Sequence, residues 1–91
     1  MTLLDVVRAL NSFDKESTIY AVEPWSENAK AEVILNSSLN EHADLNKLGM
    51  TYLIEVFLAQ EFMEGWLASL AAKPTLDEQC RRLVEYATND A

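Results

Sequence analysis

Apolar side chains recur along this chain at spacings that predict helices at both ends and strands between them. In the run that begins at Leu3, apolar residues follow three- and four-residue steps, the spacing of one helical face. Thr2 and Asp5 have the spacing of a capping box in front of this run. Turn-type residues then follow, so we expect the N-terminal helix to end near Ser12.

Two strands joined by a short turn are predicted next. Ser17–Glu23 is rich in β-branched and aromatic residues, which favour a strand, and Pro24 cannot continue a ladder. Apolar and polar side chains alternate across Ala29–Asn36, which predicts a second strand. Because the connection is short, we expect an antiparallel β-hairpin.

Residues 37–49 leave two interpretations open. Ser38 and Glu41 have capping-box spacing and Gly49 is suited to end a helix, which favours a short helical turn. The alternative is a third short strand over Lys47–Leu53, because the residues around Tyr52 tolerate either state.

The apolar run from Thr51 to Ala71 predicts a long central helix. At about 100° per residue, one set of side chains shares a face that we expect to form the main core. The members of that face are Tyr52, Val56, Ala59, Met63, Trp66, Leu67 and Leu70.

The first half of the predicted central helix is apolar nearly all round. A helix of that kind is covered on two sides, either by the terminal helices or by a second copy of the chain. The residues that lie off the main face are Leu53, Ile54, Phe57 and Leu58.

A C-terminal helix is predicted after Lys73 and Pro74 interrupt the chain. Thr75 and Glu78 form the clearest capping box of the sequence. The predicted fold is therefore α+β in a single small domain, residues 1–91. It consists of an N-terminal helix, an antiparallel β-hairpin with or without a third short strand, a long central helix, and a C-terminal helix packed over it.

The charge balance narrows the classes of partner. The net charge is −8, from 15 acidic and 7 basic residues, which disfavours nucleic acid and anionic membranes and suits a basic protein. Charged residues inside the longest apolar run, such as Glu55, argue against a membrane span. The N-terminus has no basic secretory leader, and a single cysteine, Cys80, permits no internal disulfide. We therefore expect a cytoplasmic protein.

The inventory of reactive side chains is small. His42 is the only histidine and Cys80 lies on an apolar helical face, so we expect neither a metal site nor a cofactor. Glu61 and Glu64 share a helix face, where a solvated surface is favoured over a site for a hard cation.

Glu55 falls at the margin of the main apolar face. It either pairs with a base at the edge of the core, Arg8 or Lys30, or acts as a general base after desolvation has raised its pKa. Trp25, which follows a proline at the hairpin turn, is either a lid over the core or an exposed interface anchor.

The favoured function is a non-enzymatic protein-binding module, of inhibitor or immunity type, that presents acids to a basic protein. The alternatives are a structural homodimer without a separate ligand and a small enzyme that uses Glu55. The candidate interaction residues are Trp25, Leu53, Phe57, Leu58, Glu61 and Glu64.

Overall fold

The computed structural model describes residues 1–37, 45 and 48–89. The predicted helical turn around Ser38 and Glu41, and also His42, lie outside these residues. The described elements form the predicted α+β fold. In chain order they are helix α1 (Leu3–Arg8), a 3₁₀ helix (Leu10–Ser12), strands β1 (Ser17–Val22), β2 (Ala31–Leu35) and β3 (Met50–Glu55), and helices α2 (Val56–Ala68) and α3 (Leu76–Asn89).

The predicted capping box at the start of α1 is present. The Asp5 N–H donates to the Thr2 hydroxyl at 3.2 Å, and the Thr2 N–H donates to the Asp5 carboxylate at 3.0 Å. The bond from the Thr2 N–H, and after it the Thr2 hydroxyl, lower the pKa of the Asp5 carboxyl below its ordinary 3.8. Because the folded pKa is depressed, this stabilisation is present above pH 3.8 and is lost as the pH falls below it.

The sheet is built around β1, with strand order β2-β1-β3 and antiparallel pairing throughout. The β1–β2 hairpin confirms the prediction and places Ala21 opposite Ala31. Both of these side chains and Ile19 are fully buried. The helices pack on this face of the sheet and form one core with it.

The prediction of a helix from Thr51 is wrong as far as Glu55, because Met50–Glu55 forms β3. The alternative prediction, a third short strand over Lys47–Leu53, is confirmed where it overlaps β3. Ile19 pairs with Ile54 and Tyr20 pairs with Tyr52, so Leu53 is the extra residue of a β-bulge. The bulge lets the consecutive side chains of Leu53 and Ile54 both enter the core, since Leu53 is 2% exposed and Ile54 is fully buried. The strand forms because β-branched and aromatic residues suit a pleated surface and the second edge of β1 requires a partner.

Two residues of the predicted core face are exposed. Tyr52 is 50% exposed, because β3 turns its side chain away from the helices. Leu70 is 38% exposed, because α2 ends at Ala68 and leaves it in a loop. Val56, Ala59 and Met63, which lie in the half that is helical, are buried as predicted.

Helix α3 closes the core from the other side. The predicted capping box is present: the Glu78 N–H donates to the Thr75 hydroxyl at 3.2 Å, and the Thr75 N–H donates to the Glu78 carboxylate at 3.3 Å. The inner face of α3 includes the fully buried Leu83. None of the described helices combines the length and the apolar composition needed to cross a membrane.

The α2–α3 contact is a row of aromatic rings. Phe62 stacks on Tyr86 with ring centroids 4.2 Å apart, and it lies nearly parallel to Trp66 at 6.4 Å. The Arg82 guanidinium lies 5.0 Å from the centroid of Phe62. Trp66 is therefore half-buried at the edge of the core rather than at its centre.

The assignment of β3 can be tested by comparing two alanine variants in urea denaturation. Ile54→Ala should lower the free energy of unfolding by about 2–5 kcal/mol, because it leaves a cavity in the core. Tyr52→Ala should cost less, because half of that side chain is already in water. A continuous helix, with Tyr52 in its core face, would produce the reverse ranking.

The two glycines offer a matched pair for backbone effects. Neither Gly49 nor Gly65 has a neighbour within 4 Å of the position that a Cβ would take, but Gly49 alone has a positive φ, 77°. Gly65→Ala should stabilise the protein by up to about 1 kcal/mol, because Gly65 lies inside an exposed helix. Gly49→Ala should destabilise it by about 1–2 kcal/mol. Shifts of the same sign in both thermal unfolding midpoints would contradict this account.

Candidate functional site

The outer face of α2 carries the candidate site. Phe57, Glu61 and Glu64 follow one another at four- and three-residue steps, and all three are exposed. We call these three residues the acidic face. Three of the six predicted interaction residues therefore meet on one surface, because the second half of the predicted helix is a helix.

The 3₁₀ helix fixes the position of the acidic face. The Gln60 side-chain amide donates to the Leu10 carbonyl at 3.0 Å and to the Phe13 carbonyl at 3.2 Å. We call α1 and the 3₁₀ helix together the N-terminal helical segment. The two hydrogen bonds provide donors for carbonyls at the end of this segment and hold α2 against it. Sequence reasoning missed Gln60, although a polar residue in the middle of an apolar run is a signal that a partner is required.

A hollow of about 360 Å³ lies in front of the acidic face. Its polar lining offers both hydrogen-bond donors and acceptors beside one aromatic ring. The lining residues are Asn11, Lys15, Phe57, Gln60, Glu61 and Glu64.

The carboxylates of the acidic face are not compensated within the described residues. Neither Glu61 nor Glu64 forms an ion pair there, and Lys15, which lines the same hollow, does not approach them within ion-pair distance. The ion pairs of the described residues are Arg8–Asp5 at 3.2 Å, Arg81–Glu27 at 3.5 Å and Arg82–Glu85 at 3.0 Å.

A larger hollow of about 920 Å³ adjoins the acidic face at Glu64. It lies between the N-terminal helical segment, the second half of α2 and the loop before α3. Its lining includes the buried Val7, Leu10 and Met63 together with the charged Lys73. Glu64 is therefore shared between the acidic face and a larger, partly apolar depression.

The other predicted interaction residues lie elsewhere. Trp25 is half-buried against the core, its indole N–H donating to the Ala21 carbonyl at 3.3 Å, which matches the lid interpretation. Leu53 is only 2% exposed, so its prediction as a partner contact is wrong: the bulge places it inside the core. Leu58 is half-buried and packs against the core.

The thiol of Cys80 is buried inside the core. Burial, and after it the Glu27 and Asp77 carboxylates, raise the pKa of the Cys80 thiol to about 11. A thiol with this pKa stays protonated near neutral pH and is a poor nucleophile.

Glu55, the candidate general base, is half-buried at the junction of β3 and α2. Neither of the predicted partners, Arg8 or Lys30, forms an ion pair with it among the described residues. Its carboxylate lies near the Tyr52 phenol, whose pKa is raised first by burial and then by Glu55. The two hollows beside α2 do not include Glu55 in their lining.

Potential metal ligands do not form a cluster among the described residues. Within 1–37, 45 and 48–89, no group of three His, Cys, Asp or Glu side chains is arranged to hold a metal ion. Glu61 and Glu64 therefore stand as a pair of surface carboxylates in this part of the chain.

Comparisons with known proteins do not assign the chain to a family. No protein-family model matches the chain, and no curated protein and no solved structure matches it significantly.

The burial of Cys80 can be checked with a chromogenic thiol reagent. We expect the native protein to react slowly at mildly alkaline pH, because the thiol is 1% exposed and its pKa is about 11. The same sample in denaturant should react at once and completely. Rapid reaction of the folded protein would show that the thiol is accessible and that its pKa is not raised.

Proposed function

We propose that this protein is a non-enzymatic protein-binding module whose acidic face binds a basic partner protein. One observation carries the proposal: Phe57 is 40% exposed and heads a helical stripe whose next two members are the carboxylates Glu61 and Glu64. Aromatic anchors carry much of the binding energy of many protein interfaces, and charged groups around them contribute mainly to specificity and association rate.

The apolar part of the proposed contact is Phe57. Its ring is only partly covered within the chain, so a partner would remove further apolar area from water. Because α2 is held to the 3₁₀ helix through Gln60, the ring is presented from a fixed position. Pre-organisation of this kind lowers the entropy cost of binding.

The electrostatic part is the pair Glu61 and Glu64. They lack ion-pair partners within the described residues, and the protein as a whole carries a net charge of −8. Uncompensated surface charges of one sign steer a partner of opposite sign and raise its association rate. The two carboxylates would therefore set orientation and speed, and Phe57 would set the residence time.

Site-specific photo-crosslinking tests the proposal even though the partner is unidentified. A photoreactive phenylalanine analogue is placed at position 57, and in a matched control at position 70, where Leu70 is similarly exposed (38% against 40%). In extract of the source cells, position 57 should yield one dominant adduct with a basic protein, and position 70 should not. Identical adduct patterns from both positions would contradict an acidic-face contact.

The role of the carboxylates is then measured with the captured protein. Glu61→Gln combined with Glu64→Gln should slow association and weaken its salt dependence, because the steering charges are gone. The control is Glu16→Gln with Glu23→Gln, which removes the same charge from exposed positions outside α2. Phe57→Ala should weaken binding about tenfold or more, mainly through faster dissociation. Equal effects of the two double variants would indicate attraction by net charge alone.

A further inference from the structure

The outer edge of β3 leaves backbone hydrogen-bonding groups without a partner among the described residues. The Val22 N–H donates to the Lys30 carbonyl at 2.9 Å, and the Asn36 N–H donates to the Glu16 carbonyl at 2.8 Å. Even-numbered residues of β1 therefore face β2. Because successive residues of a strand direct these groups to opposite sides, the odd-numbered residues, such as Ala21, face β3.

The same alternation determines which backbone N–H and C=O groups of β3 face β1. Thr51 stands opposite Ala21 and directs its N–H and C=O toward β1. The N–H and C=O groups of Met50 and Tyr52 therefore point away from the sheet, and no described residue bonds to them. A row of backbone groups of this kind is a template for another strand.

The opposite edge of the sheet, on β2, is partly covered by the N-terminal residues. On β2, the Ala31 N–H donates to the Met1 carbonyl at 2.8 Å, and the Leu3 N–H donates to the Ala29 carbonyl at 2.8 Å. The N-terminal residues thus cover part of that edge, where Thr2 bridges to Lys30. Natural sheets also guard edges with prolines and charges, and the stretch from Leu48 to Ile54 contains neither.

We propose that β3 pairs with β3 of a second copy of this chain and joins two sheets into one across a two-fold axis. An antiparallel edge is complementary to itself about such an axis. Met50 of each copy would pair with Tyr52 of the other, each pair exchanging two backbone hydrogen bonds. The bulge at Leu53 limits the pairing to the first half of the strand.

Charge favours a second copy at this edge over a basic partner. Each copy carries a net charge of −8, so two copies repel each other, and the repulsion is weakest where the contacting surfaces are uncharged. The edge from Leu48 to Ile54 is uncharged, and Leu48 and Tyr52 are 67% and 50% exposed there. A basic partner would be drawn instead to the carboxylates of the acidic face.

Sedimentation equilibrium over a wide concentration range, with hydrogen exchange on the same samples, tests the proposal on the unaltered chain. The mass should rise from 10.3 kDa toward twice that value, and added salt should strengthen the dimer by screening the repulsion. Exchange of the Met50 and Tyr52 amides should slow with concentration, but that of the Val33 amide on the other edge should not. A constant mass of 10.3 kDa, or a dimer in which these two amides gain no protection, would overturn the pairing.

Two matched variants locate the interface. Tyr52→Lys places a charge on the proposed edge and should weaken the dimer about tenfold or more. Leu35→Lys makes the same charge change on β2, at a residue of similar exposure (45%), and should leave dimerisation nearly unchanged. Circular dichroism establishes that both variants fold. Equal weakening by the two substitutions would overturn the assignment to β3.

Discussion

Burial of β1 between two strands and beneath the helices is the constraint on which the rest of this structure depends. Ile19 and Ala21 are fully buried, and β1 uses both of its edges for pairing. A strand so placed needs a partner on each side, because unpaired backbone groups in the core are costly. The chain meets that requirement by using Met50–Glu55 for β3, and only then can α2 begin.

The sequence predicts local features of this fold well. Both capping boxes, Thr2–Asp5 and Thr75–Glu78, depend on residues three apart and are present. The hairpin is likewise a short-range feature. β3 is different, because its partner Ala21 lies 30 residues away along the chain from Thr51. Helical spacing continues by coincidence through Tyr52 and Val56, so periodicity alone extended the helix too far. The apolar residues off that face, Leu53 and Ile54, were the signal of a strand.

The boundary between β3 and α2, at Glu55 and Val56, explains which site residues could be predicted from the sequence. Glu61 and Glu64 lie beyond it, so helical spacing places them on one helix face, and the structure adds Phe57 to that face. Leu53 lies before it, and the bulge that buries it depends on register with Ile19, which no local pattern records. The contact of Gln60 with the 3₁₀ helix also spans about half the chain. Long-range pairing, rather than side-chain chemistry, is therefore what sequence reasoning missed here.

β3 passes into α2 with no residue between them, since the strand ends at Glu55 and the helix starts at Val56. Because no loop separates the two elements, a change in the twist of β3 would change the direction of the α2 axis. An occupant of the strand edge that alters this twist would therefore alter how Phe57 is presented. Thermodynamic linkage makes such coupling reciprocal. If dimerisation changes the affinity of the acidic face for a protein by some factor, binding of that protein would change the dimerisation constant by the same factor.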